Sequence, residues 1–233
     1  VMTGLRIAID GPSGSGKSTV SRLVAQKLGL GYLDTGAMYR AATWWALHTG
    51  VDLDDQGAVE RSVKQMPLEV VLDPQAQRFV CDGIDITADI RTSELSKVVS
   101  KVAVNIPVRH EMRRRQRAII DSQDLPDSYS QGRGIVAEGR DITTVVAPDA
   151  DVRVLLTASE QARLARRALE VRGSADETAL AQTRDEVIRR DRDDSTVSEF
   201  MTAHDGVTTI DSSNLSVDEV VAAIVELVKE VGR

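Results

Sequence analysis

The sequence predicts an α/β fold, a five-stranded parallel sheet covered by helices on both faces, and three observations carry it. Short apolar runs alternate with helix-period segments through most of the 233 residues, the pattern of strand–helix–strand crossovers. The first apolar run leads through a glycine-rich stretch straight into an amphipathic segment. The last such unit carries its own helix-start signal in Ser216-Val217-Asp218-Glu219, where serine and glutamate can cap each other's backbone N–H groups.

In chain order, strands are expected at residues 5–10, around 32–33, and at 134–138, 152–157 and 207–210, with helices after most of them. The first helix is read from residue 19 to 28, with Val20, Leu23, Val24 and Leu28 on one face. Two segments break the alternation. Residues 57–104 open with two strand-like runs, 68–72 and 78–81, joined by the turn-like Asp73-Pro74-Gln75-Ala76, and read as an antiparallel insertion beside the main sheet. Residues 163–200 are rich in Arg and Asp, with Gly173-Ser174 as the flexible point, and read as a mobile lid because their charges could not be buried unpaired. The core is then residues 1–56, 105–162 and 201–233.

Composition narrows the function. Hydrophobic residues make up 42% of the chain, enough for a real core. A net charge of −7 argues against a protein whose main partner is a nucleic-acid backbone. Cys81 is the only cysteine, so no internal disulfide or Cys-based zinc site is expected, and its reading is a small residue in an ordinary strand. No apolar run approaches the ~20 residues that span a bilayer, and residues 1–10 lack a signal-peptide core; a soluble, cytoplasmic monomer is the expectation.

Gly11-Pro12-Ser13-Gly14-Ser15-Gly16-Lys17-Ser18 fits GxxxxGK[ST], between a strand and a helix as that motif requires. Backbone N–H groups can wrap a polyphosphate only where the chain turns tightly without side chains in the way, and the glycines allow this. Lys17 is placed to reach the β and γ phosphates and Ser18 to hold Mg²⁺, with Thr19 following at the helix N-terminus. The chain is therefore expected to bind a nucleoside triphosphate on a P-loop NTPase fold.

Such a site serves GTPases, motor or regulatory ATPases, and kinases of small acceptors. No NKxD motif for guanine is present. The apolar run Ile135-Val136-Ala137 leads into Glu138-Gly139-Arg140-Asp141, and an arginine there suits a second anion more than the activation of water. A kinase whose acceptor is itself phosphorylated needs several arginines to bring two anions together. Candidates are Arg40, Arg109, Arg140, Arg163, Arg167, Arg190 and Arg192. The run Arg113-Arg114-Arg115 with Arg117 is read as a solvated helix face, since three consecutive residues cannot all face one site.

Taken together, Ile9 through Ser18, Leu33-Asp34-Thr35-Gly36-Ala37-Met38-Tyr39-Arg40, Glu138-Gly139-Arg140-Asp141 with Val145-Val146-Ala147-Pro148-Asp149-Ala150, and Arg190-Asp191-Arg192-Asp193-Asp194-Ser195 resemble the bacterial cytidylate kinases, in order and over nearly the whole chain. The resemblance implies transfer of the γ-phosphate of ATP to CMP or dCMP with Mg²⁺. It puts Thr35 and Arg40 at the acceptor phosphate with Arg140 and Arg190, and Ser100, Arg109 and Asp141 at the cytosine edge. It puts Asp194 at the ribose, Arg163 on the adenine and Arg167 at the transition-state charge. Lys17, Arg140, Arg167 and Arg190 are thereby the expected catalytic set. Asp34 fits either a water-mediated hold on Mg²⁺ or a helix cap.

Two departures from that pattern stand out. A further lid arginine is replaced by Val197, which cannot donate; either another arginine takes over that contact, Arg192 being the nearest candidate, or acceptor binding is weaker here. Thr143 stands where glycine is usual, stiffening the turn after Asp141 without removing a contact.

Overall fold

The computed structural model describes residues 3–233. Its centre is a parallel sheet of β1 (Leu5–Asp10), β2 (Gly31–Asp34), β6 (Gly134–Gly139), β7 (Val152–Thr157) and β8 (Thr208–Asp211), in the order β2-β6-β1-β7-β8. All six residues of β6 are buried, as a parallel strand covered on both faces must be.

Successive side chains of β1 go to opposite faces, and this divides the core. Ile7 and Ile9 pack against α1 (Lys17–Leu28) and α8 (Val217–Glu230), with Val20, Val24, Val220 and Ile224. Ala8 faces the other layer, with Leu33 of β2, Met38 and Ala41 of α2 (Thr35–His48), and Val108 and Met112 of α5 (Ile106–Ser122). The capping box anticipated at α8 is present: the Ser216 N–H donates to Glu219 at 2.8 Å and the Glu219 N–H to Ser216 Oγ at 3.2 Å.

Between α2 and α5 lie α3 (Gln56–Lys64), a small antiparallel sheet of β3 (Leu68–Val71), β4 (Arg78–Cys81) and β5 (Ile84–Asp85), and α4 (Ser93–Ala103). The anticipated hairpin is there. The third strand was not anticipated, because two residues carry no period; the signal was the Asp82-Gly83 pair, both at positive φ, as a tight hairpin turn demands. This sheet is not an independent body. Phe79, Cys81, Ile86 and Ile90 are fully buried against the α2 layer, and the Tyr32 N–H at the main sheet's edge donates to the Leu72 carbonyl at 2.9 Å.

The polar segment near the C-terminal third forms a helical hairpin, α6 (Glu160–Arg172) and α7 (Glu177–Ser195), broken at Gly173 in the left-handed conformation. Arg172–Glu186 and Arg184–Glu160 pairs, each 3.0 Å, lace the two helices together.

The arginine run on α5 is a correction. Only Arg114 faces solvent; Arg113 turns to Asp141, Arg115 donates to the Val63 and Met66 carbonyls at the end of α3, and Arg117 pairs with Asp149. Rotation of ~100° per residue sends consecutive side chains to different neighbours, and here three of the four have one. The C-terminal carbonyls of α3 attract Arg115 as any helix C-terminus attracts a cation.

Arg114, then Arg115, hold the Glu111 carboxyl down to about 2. The folded-state value lies below the unfolded one, so the stabilisation is present above about pH 4.5 and fades as pH falls towards 2. With solvent screening around Arg114 it amounts to ~1 kcal/mol. Glu111→Gln is thus expected to lower Tm by about 2–4 °C at pH 7, with the gap to the parent narrowing at pH 3. Equal gaps in thermal melts at the two pH values would rule this out.

Candidate active site

Strand register brings the site together. In the parallel pairing Asp34 lies opposite Glu138 and Asp10 opposite Gly139, so the loops after β1, β2 and β6 open at the same carboxyl edge of the sheet. A cleft of about 740 Å³ lies there, lined by Gly14, Lys17, Ser18, Thr19, Asp34, Thr35, Tyr39, Arg40, Arg109, Glu138, Arg140, Asp141, Arg167, Arg190 and Asp194 among others. Of the expected acceptor residues only Ser100 is missing from the lining. On α4, Val99 and Ala103 face the cleft, and Ser100, one residue on from Val99, opens instead into a side pocket of about 40 Å³ beside Arg167 and Arg190.

The loop after β1 has the geometry its glycines permit. Gly14 is at φ 75°, and a Cβ there would stand 2.5 Å from the Arg163 carbonyl oxygen; Gly16 at φ 91° forms the N-cap of α1. Lys17 Nζ donates to the Pro12 carbonyl at 3.1 Å, and burial, then Arg140, push its ammonium well below the usual lysine range. The unpaired N–H groups of α1 and a buried lysine thus converge on one point, an anion site.

Glu138 is the functional residue the sequence reading passed over. Its Oε1 accepts from Ser18 Oγ at 2.7 Å and from the Tyr32 hydroxyl at 3.2 Å, and burial, then Asp34, push the carboxyl up. The available signal was an acidic residue ending an apolar strand. Of the two readings of Asp34 the structure shows the helix cap: Oδ1 accepts the Ala37 N–H of α2 at 2.9 Å, while the residue also lines the cleft, with Oδ2 3.9 Å from Arg91. Hydroxyl and carboxylate oxygens are the hard ligands Mg²⁺ takes, usually one or two from protein and the rest from phosphate and water.

Across the cleft the guanidinium groups gather. Arg40 donates to the Ile90 carbonyl at 3.1 Å and to Ser96 Oγ at 2.8 Å; burial, then Arg190 and Arg167, pull it down to about 9. Burial and Arg140 likewise lower Arg190. Buried cations that repel one another mark a place built for an anion. Among the described residues Arg167 pairs only with the exposed Glu170, at 2.9 Å. Thr35 Oγ1 donates to the Glu138 carbonyl at 2.7 Å.

Arg140 bridges the loop and the helical hairpin. It donates to the Gly11 carbonyl at 2.7 Å, to Ser13 Oγ and to Asp194 at 3.2 Å each, and lies over the Phe200 ring at 4.8 Å. Beside it, Asp141 accepts from Arg109 at 2.7 Å and from Arg113 at 3.0 Å. Arg109 sits over Tyr39 at 5.4 Å, and the buried Arg109 Nε and Tyr39 hydroxyl have no hydrogen-bond partner among the described residues. Such orphaned polar groups facing a cleft point to a ligand that completes them. Thr143 adds a contact where its turn was expected only to stiffen: its hydroxyl donates to the buried Asp10 at 2.6 Å, beside the Ile142 and Thr143 N–H groups, and so anchors the turn after Asp141.

Two expectations are corrected. Arg163 does not offer an open face for stacking: it is buried beneath the loop, donating to the Ser13 carbonyl at 3.1 Å and pairing with Asp191, whose other oxygen accepts the Ser13 N–H at 3.0 Å. The loop's inward-facing carbonyl needs a donor, and α6 starts close enough to supply one. Nor does Arg192 replace the missing lid arginine: its side chain is 73% exposed, with the adjacent Asp193 as its nearest carboxylate at 3.9 Å.

A phosphate cradle facing a cluster of guanidinium groups across one cleft defines a P-loop phosphotransferase with a second anionic substrate. The cytidylate kinase family matches residues 7–230. The chain is 46% identical over 226 residues to the cytidylate kinase of Cutibacterium acnes, covering 96% of each chain. It is 43% identical to that of Streptomyces avermitilis (96% of this chain, 92% of the relative) and 38% identical to that of Carboxydothermus hydrogenoformans (96% and 97%). The chain belongs to the cytidylate kinase family, and so to the nucleoside monophosphate kinases. Among the described residues no helix is long and apolar enough to cross a membrane.

Proposed function

We propose that the protein transfers the γ-phosphate of ATP to CMP or dCMP, giving ADP and CDP or dCDP, by direct in-line displacement. The observation that carries this is the pairing of the glycine loop and Lys17 with Arg40, Arg140, Arg167 and Arg190 around one cleft. An acceptor phosphate oxygen is already a nucleophile, so it attacks the γ-phosphorus as the bond to ADP breaks, and no general base or phospho-enzyme is required.

The residues take distinct parts. Loop amides and Lys17 hold the donor; Arg40, Arg190 and Thr35 hold the acceptor phosphate; Arg140 and Arg167 offset charge on the transferring group. Asp141 accepts from the cytosine N4 amine while Arg109 donates to N3 and O2, a pattern that uracil reverses at N3 and position 4. Asp194, held by Arg140, is within the same lining and meets the ribose. Ser18 with Glu138, and Asp34 through water, would hold Mg²⁺, which supplies charge neutralisation on the β and γ oxygens. The α6–α7 hairpin acts as a lid and the segment from α3 to α4 as the acceptor-binding insertion, excluding water on closure. The protein acts in the cytoplasm as a monomer.

Initial rates with CMP, dCMP, UMP and AMP at saturating MgATP test the reading. ADP is expected to form fast with CMP or dCMP and at least tenfold more slowly with UMP and AMP. ADP release independent of any acceptor would overturn it.

A further inference from the structure

We propose that Arg113 is a positioning residue for the acceptor base: it clamps one oxygen of Asp141 and leaves the other to accept from the exocyclic amine of cytosine. This rests on the reading of the acceptor as a cytidine nucleotide.

α5 carries Arg109 and Arg113 one helical turn apart, so they share a face. Both guanidinium groups converge on the same atom. Arg109 Nη2 lies 2.7 Å from Asp141 Oδ2, and Arg113 Nε and Nη2 each lie 3.0 Å from it. No hydrogen bond reaches Asp141 Oδ1 from any described residue. A carboxylate has about four acceptor positions. Held by one guanidinium, the group can turn about its Cβ–Cγ bond; held by two from the same helix, it presents its free oxygen in a single direction.

The second observation is the gap on α7's far end. Val197 offers no donor there, and Arg192 points into solvent. The next residue, Ser198, accepts from Arg109 Nη2 at 2.6 Å, so this end of the hairpin meets the base site with a neutral hydroxyl. The second positive charge on Asp141 comes from α5 instead. Arg113 is set apart for that task from its neighbour on the same helix: its side chain is 26% exposed and the Arg114 side chain 67%.

The consequence is a loss confined to recognition. UMP has a carbonyl where CMP has an amine, so it has no bond to Asp141 Oδ1 to lose. Arg113→Leu is expected to raise KM for CMP about tenfold with kcat within about twofold, to leave KM for UMP within about twofold, and so to lower the CMP/UMP ratio of kcat/KM about tenfold. Arg113→Lys should recover most of that ratio, and Arg114→Leu should leave it unchanged. Arg113→Gln is measured in parallel, so that a leucine variant that fails to fold does not end the test; the glutamine variant too should lower the ratio. A ratio unchanged within about twofold in the leucine or glutamine variant, or equal losses on CMP and UMP as a purely structural role would give, overturns the proposal. A parent enzyme that does not prefer CMP to UMP overturns the acceptor reading beneath it.

Discussion

Arg140→Ala is expected to lower kcat with CMP by about a thousandfold or more, while MgATP affinity changes by less than about threefold. The magnitude follows from the position of Arg140: it joins the loop at Gly11 and Ser13 to Asp194 on α7, and its own side chain is largely buried where it lines the cleft. A guanidinium at a transferring phosphoryl group contributes about 10³–10⁵ in rate, since it offsets charge that grows only as the bond breaks. A thousandfold is about 4 kcal/mol of barrier. ATP binding survives because the loop amides and Lys17 remain. Steady-state kinetics alongside calorimetric titration with a non-hydrolysable ATP analogue separates the two effects. Unchanged turnover would overturn the role given to Arg140, and a collapse of ATP affinity would recast it as a support for the loop.

The second large effect is expected at Lys17. Lys17→Met should lower kcat about 10²–10³-fold and, unlike Arg140→Ala, should also weaken MgATP binding by about tenfold or more. The ammonium is buried and donates to the Pro12 carbonyl, and Lys17 is the one cationic side chain of residues 11–18. Its removal also deprives the buried Glu138 of the positive neighbour that opposes the rise of its carboxyl. The contrast between the variants is the informative result: one side of the cleft governs the donor, the other the acceptor. ATP affinity equal to that of the parent in Lys17→Met would contradict that division.

Much of the fold was legible because local signals agreed with the tertiary outcome. β1 and β7 were read to their end residues, the loop's glycines stood between strand and helix, and Ser216 and Glu219 announced α8. Agreement of propensity, period and capping is what lets a sequence specify one structure. β5 escaped because two residues cannot display a period, and the α5 arginines were misjudged because exposure depends on what packs beside a helix, not on its own pattern.

The same boundary runs through the site. The shape of residues 11–18 is a local matter: strand, glycines, lysine and helix N-terminus are contiguous, so the sequence alone determined that loop and the fold class around it. Which side chains complete that site is decided by register and helix phase. Pairing of β6 between β1 and β2 sets Glu138 beside Ser18, and the phase of α5 turns Arg113 onto Asp141 while Arg114 meets water. The loop's inward carbonyl takes Arg163 out of the cleft. These contacts join residues far apart in the chain, and only the folded arrangement brings their charges within hydrogen-bonding distance.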